Sequence, residues 1–173
     1  MKETEHGLFL EGYKHHGRPF RHTLRDIYYA EQEILKALPT MIEKATNPDL
    51  RSGLQQHLAE TRNHVHRVEQ VFQMHGVERE TVNSPAIDGI IEEADEIASD
   101  VDNNEVLDAA LIAAAQAAEH YEIARYDAVV SWAKQLDAVI SRVCFTVTSR
   151  KEKAADQKLT QIAEAKVNLE AAQ

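Results

Sequence analysis

The stretch that decides the fold is residues 108–124, DAALIAAAQAAEHYEIA, in which two glutamates interrupt a run of small and apolar residues. At about 100° per residue, Glu119 falls at the centre of the apolar stripe of a helix, and Glu122 lies one turn further on, near the edge of the same face. A carboxylate buried without a partner is strongly unfavourable. The segment therefore predicts a helix that directs negative charge into the protein interior, where something positive must neutralise it.

Three further helical segments are predicted to direct a glutamate inward. The periodicity of apolar residues indicates long helices at about 20–46, 49–75, 104–135 and 138–170. On or beside the inward stripes of the first, second and fourth lie Glu31, Glu60 and Glu152. Glu60 shares its sector with His64, and Glu152 shares its sector with Asp156, at the same four-residue spacing. We expect His57 to be a hydrogen-bonded core histidine rather than a ligand.

The lengths of the connections predict how the four helices are joined. Short links near residues 47 and 136 make antiparallel hairpins of the first pair and of the last pair. Between the hairpins lies a connection of nearly thirty residues, with a short helix that Ser84 and Pro85 introduce. Two hairpins and one long crossover indicate an all-α, ferritin-like antiparallel four-helix bundle. We expect residues 1–19 to form an irregular N-terminal arm and residues 20–173 to form the bundle domain.

Composition excludes several classes of function. The formal net charge of −10 opposes non-specific binding to nucleic acid, because the phosphate backbone would be repelled. No apolar run reaches the roughly 18 residues of a membrane span, and the N-terminus lacks the apolar core of a signal peptide. With Cys144 as its single cysteine, the chain offers no intrachain disulfide and no thiolate zinc site. These features predict a cytoplasmic protein with neither a nucleic-acid nor a membrane partner.

The candidate ligands predict a dinuclear metal site. A set of carboxylates with about one imidazole is hard and oxygen-rich, which favours iron, with manganese or zinc as alternatives. The two-fold arrangement of single glutamates and two-residue motifs suits two ions, with one carboxylate from each half bridging them. The outer residues that we expect to orient the ligands are Tyr28, Gln116, His120 and Tyr126.

At these positions the chain resembles the YciE/YciF family of bacterial ferritin-like proteins. The segments that carry the resemblance are LRDIYYAE (24–31), HLAET (57–61), GIIEEA (89–94), DAALIAAAQ (108–116) with EHYEIA (119–124), and EKAADQKLT (152–160). They span roughly residues 20–165. The resemblance implies a wider relationship to rubrerythrins and bacterioferritins, and a stress-associated role.

The resemblance also implies a ligand set. In rubrerythrins the first helix supplies one glutamate and the third supplies Glu-x-x-Glu, which here correspond to Glu31, Glu119 and Glu122. The second and fourth helices of those relatives carry Glu-x-x-His. Both motifs here are one residue longer, and the second ends in aspartate, so either a π-bulge or a turned rotamer absorbs the extra residue, or the site is degenerate. The missing second histidine places rubrerythrin-like oxygen chemistry in question.

Two functions remain open from the sequence. The first is a non-haem di-iron or di-manganese protein that handles peroxide or oxidises ferrous iron. The second is a non-catalytic structural or binding stress protein, whose metal only stabilises a bundle that dimerises. Ile140, Val143 and Val147 support dimerisation, because they lie opposite the metal-facing stripe of their helix. A homodimer with two-fold symmetry is the expected assembly.

Overall fold

Five long helices form most of the protein in the computed structural model, which describes residues 17–172 apart from the side chain of residue 166. They are α1 (Gly17–Lys44), α2 (Pro48–Met74), α3 (Pro85–Asp100), α4 (Asn104–Gln135) and α5 (Val139–Ile162). A π-helical turn (Ala163–Val167) and the short α6 (Asn168–Ala171) follow α5. The predicted all-α fold is confirmed. Among the described helices, none has both the length and the apolarity that crossing a bilayer requires.

Two helix ends differ from the prediction. α1 is already helical at Gly17, the first described residue, rather than near residue 20, and the remainder of the predicted arm, residues 1–16, lies outside the described residues. The regular part of α5 ends at Ile162 rather than near residue 170, because the chain widens there into the π-helical turn before helical geometry resumes.

Side-chain caps fix the starts of α2 and α4. The Asn47 side chain accepts hydrogen bonds from the backbone N–H groups of Asp49 and Leu50, and the Asn103 side chain accepts one from Val106. These bonds satisfy N–H groups that have no partner within the first turn of a helix. The two caps therefore set where α2 begins after the first link and where α4 begins after the crossover.

The bundle has the two-hairpin arrangement with one crossover. Around the bundle the neighbouring pairs are α1–α2, α2–α5, α5–α4 and α4–α1, and the crossover helix α3 packs on α4 and α1. α1 and α4 are antiparallel. Asp26, in the first half of α1, contacts Arg125 in the second half of α4, whereas Thr46, just after α1, contacts Asp108 near the start of α4. The short links and the long crossover therefore led to the correct topology.

A polar layer separates two apolar clusters in the bundle interior. One cluster lies toward the end that holds the α1–α2 link and includes Ile34, Leu38, Leu50, Leu54, Leu111, Ile112 and Leu159. The other lies toward the opposite end and includes Phe20, Leu24, Ile27, Val68, Phe72, Tyr126, Val129 and Phe145. Glu31, His64, Glu119, Glu122 and Glu152 are all buried between them, each 2% exposed or less. The apolar clusters thus keep bulk water away from a set of ionisable groups.

Candidate metal centre

Two groups of carboxylates and imidazoles meet in this polar layer. The first consists of His57, Glu119, Glu122 and Glu152, and the second of Glu31, His64 and Glu152. Within each group, one potential ligand atom from every residue lies within 4.8 Å of the others. Glu152 belongs to both groups. Its carboxylate is therefore placed to bridge two cations, one in each group.

The two histidines reach the centre because of their spacing on α2. His57 and His64 are seven residues apart, which brings them back to within about 20° of each other after two turns. Both side chains are buried, at 8% and 1% exposure. α2 thus supplies one imidazole to each group. The backbone positions of the two histidines are about 10 Å apart along the helix axis.

The distances within the groups are those of atoms that could share a cation. His64 Nδ1 lies 2.7 Å from Glu152 Oε1 and 3.5 Å from Glu31 Oε1, while His57 Nε2 lies 3.2 Å from Glu119 Oε1. Two ligands each roughly 2.1 Å from a metal ion, at right angles, are about 3 Å apart. The side chains therefore need little rearrangement to coordinate a metal.

Many ligand atoms in the layer are buried without a hydrogen bond to any described residue. Those atoms are Oε2 of Glu31, Nδ1 of His57 and His64, Oε2 of Glu119, Oε1 of Glu122 and both carboxylate oxygens of Glu152. Buried polar atoms in folded proteins are nearly always satisfied. The short approach of His64 to Glu152 does not satisfy either atom, because its direction is unsuited to a hydrogen bond. Cations held by the two groups would give these buried carboxylates and imidazoles a partner, so these residues fit a metal.

Burial and mutual repulsion perturb the carboxyl groups strongly. Burial, followed by the neighbouring Glu152 carboxylate, raises the pKa of Glu119 to about 10. Burial and the negative charges around it also raise the pKa of Glu122 well above its usual value. The pKa of Glu31 is raised chiefly by burial, although His64 opposes the shift. Without a cation, carboxyl groups in this layer must hold protons at neutral pH.

The two histidines are shifted in opposite directions. Burial lowers the pKa of His57 to about 4, which leaves its ring neutral and able to donate a lone pair at pH 7. Burial acts on His64 in the same sense, but the carboxylates of Glu152 and Glu31 outweigh it and raise the pKa of His64 to about 9. In the absence of metal, a proton on His64 therefore provides the positive charge between those two carboxylates.

A tyrosine orients one of the glutamates. The hydroxyl of Tyr126 donates a short hydrogen bond to Oε1 of Glu31, and the ring is fully buried against Phe145. Burial and the nearby carboxylates raise the pKa of Tyr126 well above its usual value, so its proton is held firmly. The same oxygen lies 3.5 Å from His64 Nδ1, and Oε2 of Glu31 is buried without a hydrogen-bond partner among the described residues.

The sequence of this chain matches a protein family and a curated relative. Residues 17–172 match a family described as Domain of unknown function (DUF892). The chain belongs to this family. It is 39% identical over 153 residues to Protein YciF of Escherichia coli (strain K12), covering 88% of this chain and 92% of YciF. The resemblance to the YciE/YciF family is therefore confirmed.

Two solved structures resemble this DUF892 protein throughout most of the bundle. The crystal structure of the E. coli stress protein YciF has a TM-score of 0.82 at 39% identity, covering 86% of this chain and 94% of that one. YcfI from Rhodopseudomonas palustris, for which a structural role has been suggested, has a TM-score of 0.80 at 52% identity, covering 82% and 90%.

The structure of this DUF892 protein brings five of the seven predicted ligands together. They are Glu31, His64, Glu119, Glu122 and Glu152. Glu60 lies outside both groups, because its carboxylate accepts hydrogen bonds from Lys151 (3.1 Å) and Gln56 (3.3 Å) at the surface. Asp156 also lies outside them and accepts a hydrogen bond from Gln116 at 3.0 Å. The carboxylates of Glu60 and Asp156 thus have hydrogen-bond partners outside the two groups.

His57 occupies the place in the centre that we had expected Glu60 to take. Spacing gives only a weak signal, since His57 is rotated by about 20° from His64 on α2 and Glu60 by about 40° in the opposite direction. The two motifs with an extra residue also need no π-bulge, because α2 and α5 are regular α-helices through them. The π-helical turn of this DUF892 protein comes later, at Ala163–Val167.

The four residues that we expected to orient the ligands have different contacts. Tyr126 contacts a candidate ligand directly, as described above. Gln116 and His120 instead contact Asp156, with His120 Nε2 3.2 Å from its carboxylate. Tyr28 donates a hydrogen bond to Glu69 and takes no direct part in the layer. In this DUF892 protein, then, one of the four contacts a candidate ligand of the centre.

Proposed function

We propose that this protein binds a dinuclear non-haem metal centre, with iron or manganese, between α1, α2, α4 and α5. The observation that carries the proposal is the set of buried, unpartnered ligand atoms in two groups joined by Glu152. Four carboxylates and two imidazoles match the donor count of ferritin-like dinuclear proteins. Four negative charges would also balance two divalent cations, which removes the repulsion that burial otherwise imposes.

The residues of the chain have distinct roles around such a centre. Bound iron or manganese would supply redox chemistry toward peroxide, and iron could also be a substrate that arrives in the ferrous state. Glu152, which belongs to both groups, would be shared between the two ions, and His57 and His64 would each supply one imidazole ligand. Tyr126 holds Glu31 in one orientation and keeps a proton beside it. The apolar clusters on both sides limit the entry of water.

Metal analysis tests the centre. Protein stripped with a chelator and then dialysed against ferrous iron or manganese under argon should retain about two ions per chain. Glu152→Gln should retain less than half of that amount, because it removes the shared ligand. Glu60→Gln should retain the wild-type amount, since Glu60 lies outside both groups. Wild-type protein that retains no metal after dialysis would remove the proposal.

A non-catalytic, dimeric role is the second candidate, and the outer face of α5 favours it. Val139, Ile140, Val143 and Val147 are 50%, 64%, 55% and 40% exposed, in adjacent turns of the helix. A contiguous apolar face of this kind is typical of a protein interface. If the metal-loaded protein consumes no hydrogen peroxide but melts at a higher temperature than the stripped protein, the metal is structural and this function is favoured.

A further inference from the structure

A small cavity between α2 and α5 leads from the protein surface to one of the two ligand groups. Its volume is about 100 Å³, and its wall contains both exposed residues, such as Lys151, and the buried side chains of His57 and Glu119. Drug-sized ligands occupy pockets of roughly 300–1,000 Å³. The cavity can therefore hold only a molecule of a few non-hydrogen atoms.

Two residues in the wall of the cavity, His57 and Glu119, carry buried atoms without hydrogen-bond partners. Nδ1 of His57 and Oε2 of Glu119 have no hydrogen bond within the described part of the chain, and the two residues are 8% and 1% exposed. Leu54, Leu159 and Ile162 supply an apolar wall. A small molecule that entered would thus contact two of the four residues of this ligand group.

A chain of hydrogen bonds forms the outer rim. Lys158 donates to the Gln56 side chain at 2.9 Å, the Gln56 amide donates to Glu60 at 3.3 Å, and Lys151 donates to Glu60 at 3.1 Å. The charge of Lys151 is balanced by Glu60, whereas Lys158 contacts a neutral amide. The rim therefore carries a net positive charge, which favours a neutral or singly negative molecule over another cation.

We propose that this cavity is the entrance through which a small neutral or singly negative ligand, of the size of peroxide, reaches the group of His57, Glu119, Glu122 and Glu152. The proposal rests on the proposed function, because it needs a metal in that group. It gives Glu60 a role as part of the rim of the entrance rather than as a ligand.

Gly53 offers a way to narrow the entrance from α2. It lies one turn before His57, and a Cβ at this position would lie 3.6 Å from Cδ1 of Ile162 and 3.8 Å from Cε of Lys158, both in the cavity wall. A leucine there must occupy the cavity or displace those side chains. Gly89 on α3 is the matched control, because a Cβ there meets nothing within 4 Å.

The experiment follows the binding of azide to the ferric, iron-loaded protein by stopped-flow absorbance, with metal content measured on the same samples. Gly53→Leu should slow azide association at least tenfold at unchanged metal content, and Gly89→Leu should match the wild type. If Gly53→Leu folds poorly, Gly53→Ala replaces it, since its methyl group makes only ordinary contacts, and it should slow association severalfold.

The outcomes separate the two proposals. Equal association rates in all variants, at full metal content, would overturn the entrance and leave the metal centre standing. A wild-type protein that retains no metal would overturn both. Slower association in Gly89→Leu than in Gly53→Leu would also refute the entrance, because the effect would then not arise in the cavity.

Discussion

Replacing Glu119 with glutamine should stabilise the metal-free protein, although the same change should weaken metal binding. The pKa of Glu119 is raised from 4.5 to about 10 by burial and by Glu152. Between these two values the folded protein holds a proton that the unfolded chain has released, so stability falls as pH rises. At pH 7 the difference amounts to about 3 kcal/mol, at about 1.4 kcal/mol for each pH unit above 4.5.

The pH range from 7 to 9 isolates this effect. Over those two units the proton that Glu119 retains only in the folded state should lower the free energy of unfolding of the metal-free wild type by roughly 3 kcal/mol. Glu122 acts in the same direction because its pKa is also raised. His64 does too, because its folded-state pKa of about 9 means that its stabilising proton is lost as pH rises. Glu119→Gln should therefore retain a smaller but non-zero dependence on pH.

The assay is urea denaturation of chelator-treated protein at pH 7, 8 and 9, followed by circular dichroism. Glu119→Gln should lose roughly 3 kcal/mol less than the wild type between pH 7 and 9. Glu60→Gln is the control. The hydrogen bonds of Glu60 to Lys151 and Gln56 outweigh its partial burial and lower its pKa, so Glu60 is ionised in the folded and the unfolded protein throughout this range. Equal slopes for the wild type and Glu119→Gln would refute the reasoning that Glu119 is a protonated group in the metal-free fold.

Three further predictions concern the contact of Asp108 with the α1–α2 link, the hydrogen bond of Tyr126 and the exposed apolar surface of α5. Asp108→Ala should reduce the free energy of unfolding by about 3–5 kcal/mol in urea denaturation. The carboxylate accepts hydrogen bonds from the N–H groups of Thr46 and Asn47, both at 2.8 Å, and from the Thr46 hydroxyl at 2.6 Å. A loss below about 1 kcal/mol would contradict this prediction. Tyr126→Phe should weaken metal binding about tenfold in competition with a chelating dye, since it removes the hydrogen bond that orients Glu31, and unchanged affinity would show that Glu31 needs no such support. Val143→Glu should convert a dimer to a monomer in sedimentation velocity at micromolar concentration, because it places a charge in the exposed apolar face; a wild-type protein that already sediments as a monomer would exclude the dimer.

The candidate site could be predicted well for carboxylates that lie at the centre of an apolar stripe. Glu31, Glu119 and Glu152 are surrounded along their helices by apolar residues, so burial of each followed from helical periodicity alone. Glu122, near the edge of its stripe, was predicted because it follows Glu119 by one turn. On α2 the stripe is less decisive, since His57 and Glu60 lie in one broad sector and sequence spacing alone did not choose between them.

The sequence by itself determined the helices, their connections and the burial of Glu31, Glu119 and Glu152, because each of these depends on interactions within about two turns or on the length of a link. Only the tertiary structure decided which residues of α2 reach the interior. That choice depends on the rotation of α2 against α5, which places Glu60 beside Lys151 at the surface and His57 beside Glu119 in the interior. The same rotation makes Glu152 common to both ligand groups, a relation between helices distant in sequence that no local pattern contains.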